Sequence, residues 1–486
     1  MSTAAKPDSF WPIIYAVFFG NFLAILSTTT INVAFPLFID NFHTSLNTVQ
    51  WIMSGFVLAT GVIAPAVGYL GDQLSYKRLY MIAMGGFTLS SALCISAWNI
   101  ESLITFRVIQ GLFSGMIMPT TMTIIYQVVQ KDKQPFAMSL WSLSSMLAPA
   151  FGPTLGGWMV EYFGWRSIFV INLPIGVAAV IAIIKYIPYY RLSEKKSFDK
   201  IGLAAVTISS TALLMAFSQG SVWGWTSGKL LTVMLGGFAF LAFFIKWELT
   251  VSSPLLQLRL FKNVRFTLSL VINCVITISL YAVSILIPLF LQNVKHMSVL
   301  HTGLILLPGS LALAACSPIT GKLYTKIGPL RLIASGIALI GIATLALTNM
   351  GLQTTAAYII LWLVIRYIGV ALCNMPVTNL GMSSIPRENS GHGSAITNWV
   401  RQGIASLSIG IFSSLLVTRT NVHLQQLGQT GSAGDQELLR EQASALGVND
   451  VFMIGTIVAA AALPLVWLLR KPKPQTAAAS AAQARN

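Results

Sequence analysis

Along almost the whole chain, apolar residues come in unbroken runs separated by short polar or basic connections, with no alternation of apolar and polar positions inside a run. A helix needs about 20 mainly apolar residues to cross a hydrocarbon core of roughly 30 Å, and these runs have that length. A barrel strand would alternate with period two, so strands are excluded as the spanning element. The runs predict helices over 11–36, 49–71, 79–98, 102–127, 136–160, 167–188, 201–219 and 230–247, and then over 266–292, 300–321, 330–350, 355–380, 395–418 and 451–470. Helices satisfy their own backbone hydrogen bonds, as lipid requires. The reading is an all-α polytopic membrane protein of about fourteen spans. Trp11 to Pro36 is too long for the apolar core of a cleaved signal and reads as a retained first helix.

Composition removes the soluble alternative: 55% of the residues are apolar and 9% charged, against roughly 25% charged in soluble domains. The net charge of +16 raises the question of nucleic acid, and the positions of the basic residues answer it. Lys6, Lys77, Arg78, Lys131, Lys133, Lys185, the segment from Arg191 to Lys200, Lys246, Arg259, Lys262, Arg265, Lys322, Lys326, Arg331, Arg387 and the tail from Arg470 fall on the side of the termini. Only Arg166, Lys229, Lys295, Arg419 and Arg440 fall opposite. This asymmetry predicts cytoplasmic termini in a multi-pass cytoplasmic-membrane protein and explains the charge without nucleic acid. Cys94, Cys274, Cys316 and Cys373 lie scattered in apolar runs, without disulfide or metal-type spacing. The connection from Arg419 to Asp450 reads as a solvated spacer, with a short amphipathic or disordered segment as the alternative, and the tail 471–486 as disordered.

An internal repeat joins the two halves. Pro65-Ala-Val-Gly68-Tyr-Leu70 aligns with Pro318-Ile-Thr-Gly321-Lys-Leu323, and at the same offset Arg78 meets Arg331. Two related helical bundles with a site between them near the midplane are implied, the arrangement of a secondary transporter. The expected organisation is a cytoplasmic N-terminus (1–10), a bundle (11–190), two central helices with linkers (191–262), a second bundle (263–470) and the tail.

Several stretches carry specific chemistry. In Gly68-Tyr-Leu-Gly71-Asp72-Gln-Leu-Ser-Tyr76-Lys77-Arg78, glycines permit close helix approach, and Asp72 followed by Lys77 and Arg78 offers a switchable ionic contact. Arg107 lies well inside an apolar run, where a guanidinium must face a partner or a cavity. In Ala148-Pro149-Ala-Phe-Gly152-Pro153-Thr-Leu-Gly156-Gly157, prolines kink a helix and glycines allow backbone packing. The first stretch resembles the signature loop of the major facilitator superfamily, with Ser75 where the family prefers glycine. Arg107-Val-Ile-Gln110-Gly111 resembles its fourth-helix motif, and the proline-glycine stretch resembles the antiporter motif of its exporters, with Ala148 replacing the first glycine. Asn32-Val-Ala-Phe-Pro36, Gly164 to Gly176 and Gly393 to Gly403 are similar to the fourteen-helix drug/proton antiporter branch. The resemblance implies two six-helix bundles plus two additional central helices, gating at Asp72, export through alternating access, and proton coupling linked to Arg107.

The pattern departs from that branch in one place. Many members carry an aspartate in helix one where this chain has Ser27, and serine cannot exchange protons at working pH. Every acidic residue maps to a helix end or a connection, leaving Asp40, Glu161 and Asp72 as titratable candidates beside Arg107. Either protonation has moved to one of these or coupling to protons is weak or absent. The expected central cavity is apolar and aromatic with uncharged polar groups, drawn from Asn21, Ser27, Thr30, Asn32, Met118, Tyr281, Gln292, Asn374 and Asn398. The expected cargo is a small amphipathic compound exported across the lipid bilayer in exchange for protons; a periplasmic adaptor is left open. A dedicated single-metabolite exporter is the alternative. No nucleophile constellation, metal spacing or Walker loop is present in the sequence, so an enzyme or sensor is the remote reading, with no cofactor expected.

Overall fold

The computed structural model describes residues 10–44, 46–190, 199–251, 254–297, 299–430 and 436–469. The helices are α1 (Phe10–Thr29), α2 (Phe35–Phe42), α3 (Leu46–Ile63), α4 (Ala66–Leu74), α5 (Tyr76–Ile95), α6 (Ile100–Val128), α7 (Gln134–Phe163), α8 (Ser167–Val170) and α9 (Asn172–Tyr186). Then come α10 (Lys200–Trp223), α11 (Gly228–Thr250), α12 (Val264–Asn293), α13 (Val299–Ile327), α14 (Pro329–Ala346), α15 (Ala356–Ser383), α16 (Ser390–Thr430) and α17 (Gln436–Leu468). Among the described residues twelve helices are long and apolar enough to cross a membrane, and thirteen if the bent pair Trp51–Ile63 and Ala66–Leu74 is one span. Residues 1–9 and 470–486, which hold nearly all of the expected N-terminus (1–10) and all of the tail (471–486), the linker residues 191–198, and the side chains of Asn32, Pro149 and Pro153 lie outside the described residues.

Packing sorts the helices into two sets. In the first, α1 packs on α7 and α9, α3 on α6, and α5 on α6 and α9. In the second, α13 and α14 pack on α15, and α12, α14 and α16 on α17. α10 packs against α3 and α16, and α11 packs on α10. Trp399 Nε1 donates to Ser210 Oγ at 2.9 Å and Phe244 meets the Trp399 ring edge-on, so the central pair is tied to α16. Two carboxylates fix its connections: Asp199 caps α10 through the Gly202 amide and accepts from Trp247 Nε1, while buried Glu248 accepts from the Leu256 amide at 3.1 Å. Glu248 sits at the end of its helix, as expected, yet it is 2% exposed.

Two apolar runs that read as single spans are broken, each for a local reason. The first ends its α-helix at Thr29, where the hydroxyls of Thr28, Thr29 and Thr30 turn back onto the carbonyls of Ala24 and Leu26. Such back-bonding competes with the helix ladder, and Pro36 then restarts it at α2. The second bends by 61° next to Pro65, which cannot donate to the turn before it. The connection from Arg419 to Asp450 corrects the expected spacer: α16 continues to Thr430 and α17 begins at Gln436. Ala443, Ala445 and Val448 are buried, so this stretch of α17 has an apolar face to pack.

The repeat extends into backbone geometry. Ser75 precedes α5 with φ 81° and ψ 146°, and Gly328, at the same offset as the matched prolines, precedes α14 with φ 87° and ψ 153°. Only glycine adopts this region without strain, costing another residue on the order of 1–3 kcal/mol. Ser75 Oγ recovers part by accepting from the Arg78 amide at 3.3 Å, a cap worth about 1 kcal/mol. Ser75→Gly is therefore expected to raise the thermal midpoint of the purified protein slightly; a clear fall would contradict the strain argument.

Candidate functional site

A cavity lies where the two sets face each other. α6 contributes Met122, α7 contributes Met138, Trp141, Ser142 and Ser145, and α12 contributes Asn273. Like α12, the other contributors belong to the second set: α15 adds Asn374, Met375 and Thr378, and α16 adds Thr397, Asn398 and Arg401. In this conformation its volume is about 30 Å³. The lining is apolar surface with amides and hydroxyls, the make-up of a small-molecule pocket.

Of the residues expected there, Asn374 and Asn398 line it. Met118 stands beside it, its sulfur 3.2 Å from an Arg401 nitrogen. Tyr281 lies within electrostatic range of the same arginine. Asn21 is placed behind the wall, donating to Ser144 Oγ and Ser145 Oγ at 2.7 Å. Thr30 is buried on its own helix and Gln292 is half-buried near the far end of α12. Ser27 is also off the cavity, because it holds Arg107.

Arg107 is fully buried and stitches three helices together. Its nitrogens donate to Ser27 Oγ at 3.0 Å on α1, to the Ile52 carbonyl at 3.3 Å on α3 and to Gln110 Oε1 at 2.6 Å on α6, and the guanidinium lies over the Phe56 ring. Arg366, equally buried, does the same work in the second set, donating to Ser279 Oγ at 2.7 Å on α12 and to Thr344 Oγ1 at 3.4 Å on α14. The sequence reading passed over Arg366 and the charge of Arg401, although the argument that singled out Arg107, a guanidinium inside an apolar run, applies to both.

At one end of the molecule the sets meet directly. This end carries Lys77, Arg78, Lys131, Lys133 and Arg387 and is here termed the basic end. Asp72, 4% exposed, pairs across the sets with His392 of α16, Nε2 to Oδ2 at 3.3 Å, and the Tyr76 hydroxyl donates to the Gly68 carbonyl at 3.2 Å. Lys77 and Arg78, expected as the ionic partners of Asp72, turn elsewhere: Lys77 donates to the Ile184 carbonyl and Arg78 lies over the Tyr189 ring. Asp72 faces α16, so its ionic partner comes from the other half of the sequence, while the Tyr76 hydroxyl lies 3.5 Å from its other oxygen. Further bonds between the sets join Thr123 to Ser394 at 2.6 Å, Gln127 to Ser390 at 2.8 Å and Tyr126 to Asn379 at 3.3 Å.

Two glycines of the repeat permit this approach. A Cβ on Gly68 would stand 3.0–3.2 Å from His392, including its backbone, and one on Gly321 would stand 3.1 Å from the Pro135 carbonyl of α7. Gly71 packs on the Tyr76 ring. In the proline-glycine stretch, Gly152 faces Thr29 and a Cβ on Gly156 would stand 3.0 Å from the Thr30 carbonyl, so both let α7 close on the end of α1 within one set, while Gly157 is half-buried. Asp40 and Glu161 are exposed, away from the cavity lining.

At the opposite end, His296 Nε2 lies 2.6 Å from Glu441 Oε1, and Glu437 completes a group whose ligand-type atoms lie within 4.8 Å. No sequence spacing announces this grouping, because its members come from a connection and from α17. The hydrogen bond to Glu441 raises the His296 pKa above its ordinary value. A raised folded value means the contribution is fully present below the unfolded pKa of about 6.5 and fades as pH rises through the folded one. His296→Ala should therefore lower the thermal midpoint slightly at pH 6 and leave it unchanged at pH 9; an equal effect at both would rule out the ionic contribution.

The sequence profile described as Major Facilitator Superfamily matches residues 17–409. The chain belongs to this superfamily. Among relatives, the MFS-type transporter YhcA of Bacillus subtilis (strain 168) is 32% identical, covering 96% of this chain and 93% of its own length. The lincomycin resistance protein LmrB of Listeria innocua is 27% identical, covering 95% and 97%. The crystal structure of the human organic anion transporter MFSD10 superposes with a TM-score of 0.62 at 12% identity, covering 93% of this chain and all of that one, a likeness of fold. The protein is thus a multi-pass membrane transporter and not an enzyme.

Proposed function

We propose that this transporter exports small amphipathic compounds by alternating access, with the basic end and both termini in the cytoplasm, and that it does so in exchange for protons. The observation that carries the reading is the cavity between the two sets, closed toward the basic end by contacts those sets make with each other. Reversible polar pairs and matched glycines at this closure are what a rocking mechanism needs. The basic end faces the cytoplasm by the distribution of lysine and arginine, so the conformation described is the one shut on that side. Counted as a span, α7 with its 30 residues would bring the thirteen to the fourteen of this reading. The name of LmrB, lincomycin resistance, supports a drug-like cargo.

Proton exchange requires a group that alternates between environments. With Ser27 bonded to Arg107, Asp72 is the better candidate, because it joins the two sets at this end through His392. In proteoliposomes, cargo movement is expected to rise about tenfold when a pH gradient is imposed; equal rates with and without the gradient would end the claim of proton exchange while leaving alternating access intact.

A further inference from the structure

We infer that the cavity selects amphipaths with a negatively charged head group, and that Arg401 is the countercharge; this rests on the export reading and names the class of cargo. Arg401 is the one charged side chain among the lining residues, and no carboxylate lines the cavity beside it. Among the described residues no acidic group lies within ion-pair reach of its guanidinium, whose polar contacts are Asn398 Oδ1 at 2.8 Å and the Met118 sulfur at 3.2 Å. A guanidinium has five N–H donors, and a thioether is a weak acceptor. Arg107 and Arg366 differ in place: neither lines this cavity, and each bonds hydroxyl or amide oxygens within its own helix set, although Nη1 of Arg366 has no partner.

An arginine at membrane depth without an acid beside it marks a ligand or substrate path. Arg401 lies eleven residues into α16 from Ser390, about 16 Å along the helix, which is close to mid-bilayer. Its planar fork matches carboxylate, sulfonate or phosphate oxygens in a way an ammonium cargo cannot use, and a cationic head would meet like charge in a medium of low dielectric. The rest of the lining suits the tail of such a molecule: Met122, Met138 and Met375 are pliable and Trp141 is flat. Asn374 is held only loosely, its amide 3.4 Å from Ser142 Oγ, so it is available to a head-group oxygen.

The test uses the full-length protein in zwitterionic nanodiscs and three probes with the same eight-carbon tail: octanesulfonate, octyl glucoside and octyltrimethylammonium. Binding is read from tryptophan fluorescence against empty discs. Octanesulfonate should bind about tenfold more tightly than the other two, Arg401→Gln should abolish that preference, and Arg401→Lys should keep part of it. Equal affinities for the three probes in the parent, or an unchanged sulfonate preference in Arg401→Gln, would overturn the inference. Should Arg401→Gln fail to fold by size exclusion, the parent series with Arg401→Lys decides. Transport of the same probes in proteoliposomes separates the two readings. Sulfonate selectivity in binding with no transport of any probe defeats export and upholds the head-group assignment; preferential carriage of the ammonium compound upholds export and defeats the assignment.

Discussion

Gly68→Val will prevent the basic end from closing. Its β-carbon would meet the His392 backbone at 3.1–3.2 Å, where no flexible side chain can yield, and the γ-carbons intrude further. Overpacking of this kind costs about 1–3 kcal/mol, and here it falls on the closed state alone, so the balance shifts about ten- to a hundredfold toward the conformation open at this end. Export should fall by a similar factor at unchanged protein level, and a cysteine at Asn398 should become more reactive to a membrane-impermeant thiol reagent applied from the basic side. Gly321→Val is expected to act alike, since its β-carbon would press on Ser139 and the Pro135 carbonyl. Export at the parental rate in both variants would remove the glycine pair from the mechanism.

Arg107→Ala should damage the first helix set itself. The guanidinium bonds to α1, α3 and α6 at once, and hydrogen bonds to a charged group contribute about 1.5–3 kcal/mol each. With Ser27 and Gln110 left facing a void, a loss of about 3 kcal/mol or more follows, seen as a lower thermal midpoint and reduced folded yield. Ser27→Asp is the informative companion. Ser27 Oγ lies 3.0 Å from the guanidinium, so a carboxylate there would gain a buried partner and the acid common in the wider family would be restored. Transport by that variant should acquire a pH dependence distinct from the parent's. A variant with the parental profile would show that position 27 has no part in proton exchange here, and an Arg107→Ala protein of undiminished stability would contradict the stitching role.

Much of this was legible in the chain. Continuous apolar runs dictated helices, because lipid accepts no spanning segment that leaves backbone groups unpaired. The repeat of Pro65 and Gly68 in Pro318 and Gly321 marked the second helix of each half, and a single arginine in an apolar run announced a buried polar cluster. Breaks inside the runs were less visible, since Thr28 to Thr30 change the backbone only through hydroxyl geometry that their composition does not display.

What the sequence alone determined is local: which segments enter the membrane, which end is basic, which glycines recur and where charge is costly. Pairing was decided by tertiary structure. Asp72 finds His392 and not the neighbouring Lys77, Ser27 meets Arg107 and so leaves the cavity, and Arg401 stands beside Met118 without a carboxylate because helices from opposite halves of the chain are laid side by side. Burial cost can be read from one segment, but a partner is fixed only by which helix faces it, and that depends on the packing of all the others.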